Sequence, residues 1–188
     1  MRPRNYLKGN GKMLVAGYIF SAINYIVYCV GRFKKNKSTI LIFSLASKLT
    51  TLISLYCFGS LSGAYIFAID IVDTILCNLN EKYQWNIKWI YFITTAGKYI
   101  VSSFTFSGVV TILQLTQSTL NPFAAWFLSP QKMRIIGSIG AICAMVQLLI
   151  LGNYMGLLEI AVIIANTLSW IKYKNVYADK EHTAIQEA

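Results

Sequence analysis

Charge is what this sequence has least of. Asp, Glu, Lys and Arg make up 13% of its 188 residues, about half the ~25% of an ordinary soluble domain. That scarcity excludes a disordered chain and an ordinary soluble enzyme. Proline occurs three times and histidine once. The four cysteines, Cys29, Cys57, Cys77 and Cys143, have no CxxC spacing and no histidine cluster beside them, so neither a disulfide framework nor a zinc site is expected. No glycine-rich phosphate loop, Ser/His/Asp set or HExxH occurs. Asp70-x-x-Asp73 could hold Mg²⁺ only with further oxygen ligands, and no second acidic cluster supplies them. The expectation is therefore no enzyme: no catalytic residue, no metal and no cofactor.

What is abundant is apolar side chains, 56% of the chain, gathered in long runs. A membrane-crossing helix needs about 20 such residues. Seven segments qualify: Met13–Gly31, Ser38–Phe58, Leu61–Leu79, Ile87–Phe106, Val109–Leu128, Met133–Leu151 and Tyr154–Tyr173. They are too long and too little alternating for β-barrel strands, so the fold class expected is an all-α membrane protein with seven transmembrane helices. The first run exceeds the length of a signal-peptide core and no small-x-small cleavage site follows it, so it reads as a retained span. The net charge of +10 sits at the ends of the apolar runs, as in Arg32-Phe33-Lys34-Lys35-Asn36-Lys37. That is where orientation signals lie at a membrane surface, and it argues against a nucleic-acid partner. Arg32, Lys34, Lys35, Lys37, Lys82, Lys88, Lys132, Arg134, Lys172, Lys174 and Lys180 share one side, against Arg2, Arg4, Lys8 and Lys12 on the other. The excess predicts a cytoplasmic C-terminus and an outside N-terminus.

The chain also repeats. Shifted by 93 residues, the first three spans fall on the last three without a gap: Gly59-Ser-Leu-Ser-Gly63 on Gly152-Asn-Tyr-Met-Gly156, Asn24 on Gln117, Asp73 on Asn166 and Thr74 on Thr167. A three-helix unit ends on the side opposite its start, so a second copy in the same orientation needs one extra crossing. Ile87–Phe106 has no partner in the repeat and supplies it. The expected architecture is 3+1+3, two parallel three-helix bundles joined by an inverting fourth helix. Its parts are a basic N-terminal segment (1–12), a first bundle (13–79), a linker with the inverting helix (80–108), a second bundle (109–173) and a polar C-terminal tail (174–188).

On these features the chain resembles the YgjV-type bacterial inner membrane proteins. The residues that carry the resemblance are the basic RFKKNKS loop after the first span, the G-x-x-x-G turn with a polar residue deep in the third helix, and Gly156-Leu-Leu-Glu159 followed by Asn166 and a basic exit at Lys172. The 3+1+3 order is similar to that of the SWEET sugar facilitators and PnuC vitamin transporters of the PQ-loop/MtN3-like group. The SWEET proline tetrad is absent, with Pro122 alone in its region, and so is a PnuC tryptophan signature, which disfavours nicotinamide riboside. The resemblance implies residence in the bacterial inner membrane, a substrate site between the bundles and a homo-oligomer as one option.

Each ionisable residue inside a span costs about 2.5–3.5 kcal/mol on insertion scales and needs an account. Lys48, Asp70, Asp73, Lys98 and Glu159 are such residues. Lys48 lies eleven residues before the Gly59 turn and Asp70 eleven after it, so both sit about 16 Å from the turn. An ion pair between them is expected, either as a staple of the hairpin or as a coupling element. Glu159, lacking a basic partner, reads as a carboxylate near the outer vestibule or as a proton acceptor. Lys98 could answer Asp73, Glu159 or neither. Asp73 with Asn166, and Asn24 with Gln117, occupy equivalent places in the two bundles, and pseudo-symmetry would bring them to the common axis. Asn121 and Ser118 stand near Pro122, which frees backbone carbonyls. Amides both donate and accept hydrogen bonds and suit a neutral polar solute. The functional expectation is a transporter or facilitator for a small polar solute (vitamin-, nucleoside- or sugar-like), with a receptor that binds without transporting as the alternative.

Overall fold

The computed structural model describes residues 11–58, 60–106, 108–150 and 154–186. The turn residues Gly59, Ser107, Gly152 and Asn153, and most of the basic N-terminal segment, lie outside these. The described residues are all-helical: α1 (Gly11–Arg32), α2 (Lys37–Cys57), α3 (Leu61–Tyr83), α4 (Ile90–Phe104), α5 (Val109–Phe127), α6 (Pro130–Ile150), a 3₁₀ turn at Tyr154–Leu158, and α7 (Glu159–Gln186).

The breaks have local causes. α3 runs past the expected Leu79 to Tyr83 and stops where Gln84 turns left-handed at φ 54°. Asn86 repeats that conformation at φ 53°, while the Asn80 side chain accepts the Ile87 N–H at 3.0 Å. The fourth helix therefore begins at Ile90, not Ile87. α5 follows Gly108, whose φ of 78° is one that glycine adopts without strain. α6 opens on Pro130, a residue preset for the first helical position. At the far end α7 continues through Gln186, across most of the expected polar tail.

Five helices, α1, α2, α3, α6 and α7, are long and apolar enough to cross a membrane. The other two depart from the seven expected spans, for different reasons. α4 has 15 residues, about 22 Å, short of a hydrocarbon core of about 30 Å. α5 has 19 residues but is crowded with Thr111, Gln114, Gln117, Ser118 and Asn121.

The protein is polar inside and apolar outside. Its largest fully buried side chains include Arg134, Lys98, Asn166 and Asp73. Ile19, Ile26, Phe92, Ile100, Phe104, Ile164 and Leu168 are exposed. In water this distribution would be costly; in a bilayer it is the favourable one, because lipid solvates the outer face and only the interior can satisfy polar groups.

Neighbouring helices pack in the order α1–α2–α3–α5–α6–α7 and back to α1, forming a ring. α4 lies outside it, against α3 and α5. It turns Tyr91, Thr94, Lys98 and Ser102 inward, a stripe at helical spacing, and leaves its phenylalanines to the exterior. Under this contact, Tyr91, Cys77, Trp126 and Met133 form an apolar core with Ile40 and Leu41.

Candidate functional site

The ring surrounds a partly open cavity of about 530 Å³, within the range of small-molecule sites. One stripe per helix faces it: Ser21, Tyr25, Tyr28 and Arg32 from α1; Ser44, Ser47, Lys48 and Thr51 from α2; Gln114, Gln117, Ser118 and Asn121 from α5. α3 contributes Phe67, Asp70 and Thr74, and α7 Glu159 and Val162. The lining runs from Phe58 and Ser60, beside the neutral α2–α3 turn, to Arg32 near the basic end. These stripes explain the composition of α5: its polar face is a wall of the cavity.

At the basic end, hydrogen bonds from α6 and α7 reach three consecutive carbonyls of the α1–α2 loop. Arg134 donates from Nη2 to Lys34 O at 2.8 Å and from Nε to Arg32 O at 3.4 Å. Ser169 Oγ donates to the same Arg32 carbonyl, and Tyr173 Oη donates to Phe33 O at 2.7 Å. Gln131 joins the clamp by accepting from Arg134 Nη1 at 2.9 Å and donating to Trp170 O at 2.6 Å.

Of the residues singled out from the sequence, Asn24, Gln117 and Asn121 line the cavity. Asn24 accepts from Ser47 Oγ. Asp73 and Asn166 do not line it. The cavity face of α3 is set by Phe67, Asp70 and Thr74; Asp73 is on the flank, where its Oδ1 accepts from Thr94 Oγ1 of α4 at 2.6 Å and from Trp126 Nε1 of α5 at 3.1 Å. It holds α3, α4 and α5 together. Asn166 lies one turn beyond Val162, where α7 packs on α6 at Gly137. It is 1% exposed, and neither atom of its amide has a hydrogen-bond partner.

The expected Lys48–Asp70 ion pair is not formed. Lys48 Nζ donates to Thr74 Oγ1 at 2.7 Å and to the Asp70 backbone carbonyl at 3.3 Å. The Asp70 carboxylate pairs with Lys98, which is 0% exposed. Lys98 also donates to Ser118 O at 2.9 Å. That carbonyl is free because the residue four positions on is Pro122, which has no N–H to give it. One ammonium thus satisfies a carboxylate of α3 and a proline-orphaned carbonyl of α5, and locks α4 to the ring. Glu159 lines the cavity and accepts from Tyr25 Oη at 3.1 Å.

The profile of a family described as bacterial inner membrane protein, Imp-YgjV, matches residues 15–176. The chain belongs to this family. No curated protein and no solved structure matches it. YgjV membership together with the apolar helices makes this a multi-pass protein of the bacterial inner membrane.

For this YgjV-family protein the sequence reading missed Tyr25, Tyr28 and Arg32, treating Arg32 only as an orientation charge. The signal was present in the spacing of Ser21, Tyr25, Tyr28 and Arg32, a polar stripe down one face of an otherwise apolar helix. Among the described residues, no group of three His, Cys, Asp or Glu side chains comes together as a metal site.

Proposed function

We propose that this YgjV-family protein is a transporter or facilitator that moves a small polar solute through the ring cavity. The observation that carries the reading is the cavity itself: a partly open space lined by Asn24, Gln117, Asn121 and Lys48, in a protein whose exterior is apolar. Gathering so many amides and hydroxyls on one inner surface of an otherwise apolar protein is favourable only where water or a polar ligand meets them.

The 3+1+3 order belongs to this proposal. Shifted by 93 residues, each neighbouring pair in the ring maps onto another: α1–α2 onto α5–α6, α2–α3 onto α6–α7, and α7–α1 corresponds to α3–α5. Two parallel bundles around an axis along the membrane normal would produce this pattern, with α4 as the inverting helix. The charge asymmetry of the loops supports an orientation with the clamped, basic end in the cytoplasm and the N-terminus outside. In that orientation the clamp is an inner gate. No catalytic step and no cofactor enter the proposal.

The test is a melt of the purified protein against nucleosides, B vitamins, sugars and amino acids, run beside Gln117→Ala and Asn121→Ala. Ligand at 100 times its Kd stabilises by about 2.7 kcal/mol. A hit weakened in both variants supports the reading, and its uptake into proteoliposomes separates a transporter from a receptor. Hits indifferent to both variants place binding elsewhere and overturn it.

A further inference from the structure

Among the described residues, four charged side chains line the cavity: Arg32, Lys48, Asp70 and Glu159. Three are answered within the protein. Asp70 pairs with Lys98, and Lys48 donates to Thr74 Oγ1 and the Asp70 carbonyl. Arg32 donates to the Tyr28 hydroxyl and lies over its ring, 4.3 Å from the centroid. Glu159 differs. Its Oε1 accepts from Tyr25 Oη at 3.1 Å, a neutral donor, and Oε2 has no hydrogen bond to a described residue. The ion pairs among the described residues, Lys37–Glu81 and Lys98–Asp70, leave it out. The side chain is partly exposed and lines the cavity, so its carboxylate is within reach of a solute there. The adjoining wall of α1 is aromatic. Tyr18 lies seven residues before Tyr25, on the same face, and Phe58 packs edge-on against it with ring centroids 5.2 Å apart. All three rings line the cavity.

We propose that Glu159 is a cation subsite of the cavity, and that the transported solute carries a protonated amine which docks on its carboxylate. An ammonium brings donors and no acceptor. Glu159 Oε2 takes one of them, and Tyr25 Oη, whose own proton goes to Oε1, has lone pairs for another. The faces of tyrosine and phenylalanine attract the same charge. One carboxylate beside aromatic rings suits an organic ammonium better than Ca²⁺ or Mg²⁺, which take about six oxygen ligands or more. Repulsion from Lys48 is limited by its placement. It is held against α3, and in the ring order α3 lies across the cavity from α7. Gln117 and Asn121 would then read the neutral part of the same molecule. This inference rests on the transporter reading and narrows its substrate class to amines.

The experiment uses the full chain in detergent, melted near pH ~8, where an alkylamine keeps its proton. The probes are ethanolamine and propylamine hydrochlorides, their neutral twins ethylene glycol and propanol, and sodium chloride at equal ionic strength. Stabilisation is expected from the amines beyond both controls. Two variants separate charge from structure. Glu159→Gln is nearly isosteric, keeps an oxygen for Tyr25 and removes the charge; amine affinity should fall about 10- to 100-fold, the range for a hydrogen bond to a charged group. Tyr25→Phe removes the hydrogen bond and keeps the charge; the loss should be smaller, at most about tenfold, the range for a neutral hydrogen bond. A role confined to tying α1 to α7 reverses that order. Amines that stabilise no more than their neutral twins or sodium chloride overturn the proposal. So does an amine response undiminished in Glu159→Gln, or one lost more in Tyr25→Phe than in Glu159→Gln. A neutral solute that binds through Gln117 and Asn121 with no effect of Glu159→Gln would leave the transporter reading standing and remove the cation subsite alone.

Discussion

Replacing Lys98 by methionine should be among the most damaging single changes in this protein, and proline at position 122 makes the damage diagnosable. The substitution keeps most of the side-chain volume and removes the ammonium that serves Asp70 and Ser118 O. Removing one partner of a buried ion pair costs about 3–5 kcal/mol. Lys48 is already within 3.3 Å of the Asp70 backbone carbonyl and can turn towards the abandoned carboxylate, so the low end, about 3 kcal/mol, is expected. The Ser118 carbonyl is then left with no donor. Pro122→Ala restores an N–H at the position that would normally satisfy it. In the wild-type background that N–H is redundant; in Lys98→Met it supplies the missing hydrogen bond. The double-mutant cycle should therefore show a favourable coupling of about 0.5–1.5 kcal/mol, read by denaturant titration in mixed micelles. Strict additivity of Lys98→Met and Pro122→Ala would refute the argument that the proline exists to expose this carbonyl.

Three other outcomes follow from the same geometry. Trp126→Phe removes the indole donor to Asp73 but leaves Thr94, and should lower stability by about 1.5–3 kcal/mol in the same titration without altering ligand response. Gly140→Ala would bring a Cβ to 2.9 Å from Asn121 Oδ1; the amide can swing aside, so the melt should change little while binding of any cavity ligand weakens, as a ligand-titrated melt would show. Arg134→Gln removes two of the four hydrogen bonds to the α1–α2 loop carbonyls, leaving those of Ser169 and Tyr173, and should loosen the clamp. In a background without the native cysteines, a thiol reagent applied from the basic end should label Ala141→Cys, a cavity position, about tenfold faster than with Arg134 in place, matching a loss of about 1.4 kcal/mol.

Much of this arrangement was legible from the residues alone, and the failures share one cause. Helix number and approximate helix ends follow from apolar run length, and the meeting of Lys48 with the Asp70 backbone follows from rise per residue. Depth says nothing about rotation, however. Lys48 and Asp70 are level and adjacent, as counting predicted, yet the carboxylate turns to a lysine on α4. Where α4 docks could not be read, because it has no counterpart in the repeat. Asp73 and Asn166, paired by the 93-residue shift, illustrate the same limit: both are rotated off the cavity face, one satisfied by Thr94 and Trp126 and the other left without partners. The role of Pro122 was readable as chemistry, a freed carbonyl, though not which side chain would take it. α4 proved shorter than its apolar run because Gln84 and Asn86 adopt left-handed backbone, a choice that hydropathy does not register.

The central claim is that the ring cavity is a route across the membrane, and uptake tests it most directly. Proteoliposomes holding wild-type protein should accumulate the solute identified by melting down its gradient. Those holding an Asn121→Trp variant that melts normally should not, because the indole fills the cavity at mid-depth. Uptake at equal rates through both, or tight binding with no uptake by the wild type, would contradict it.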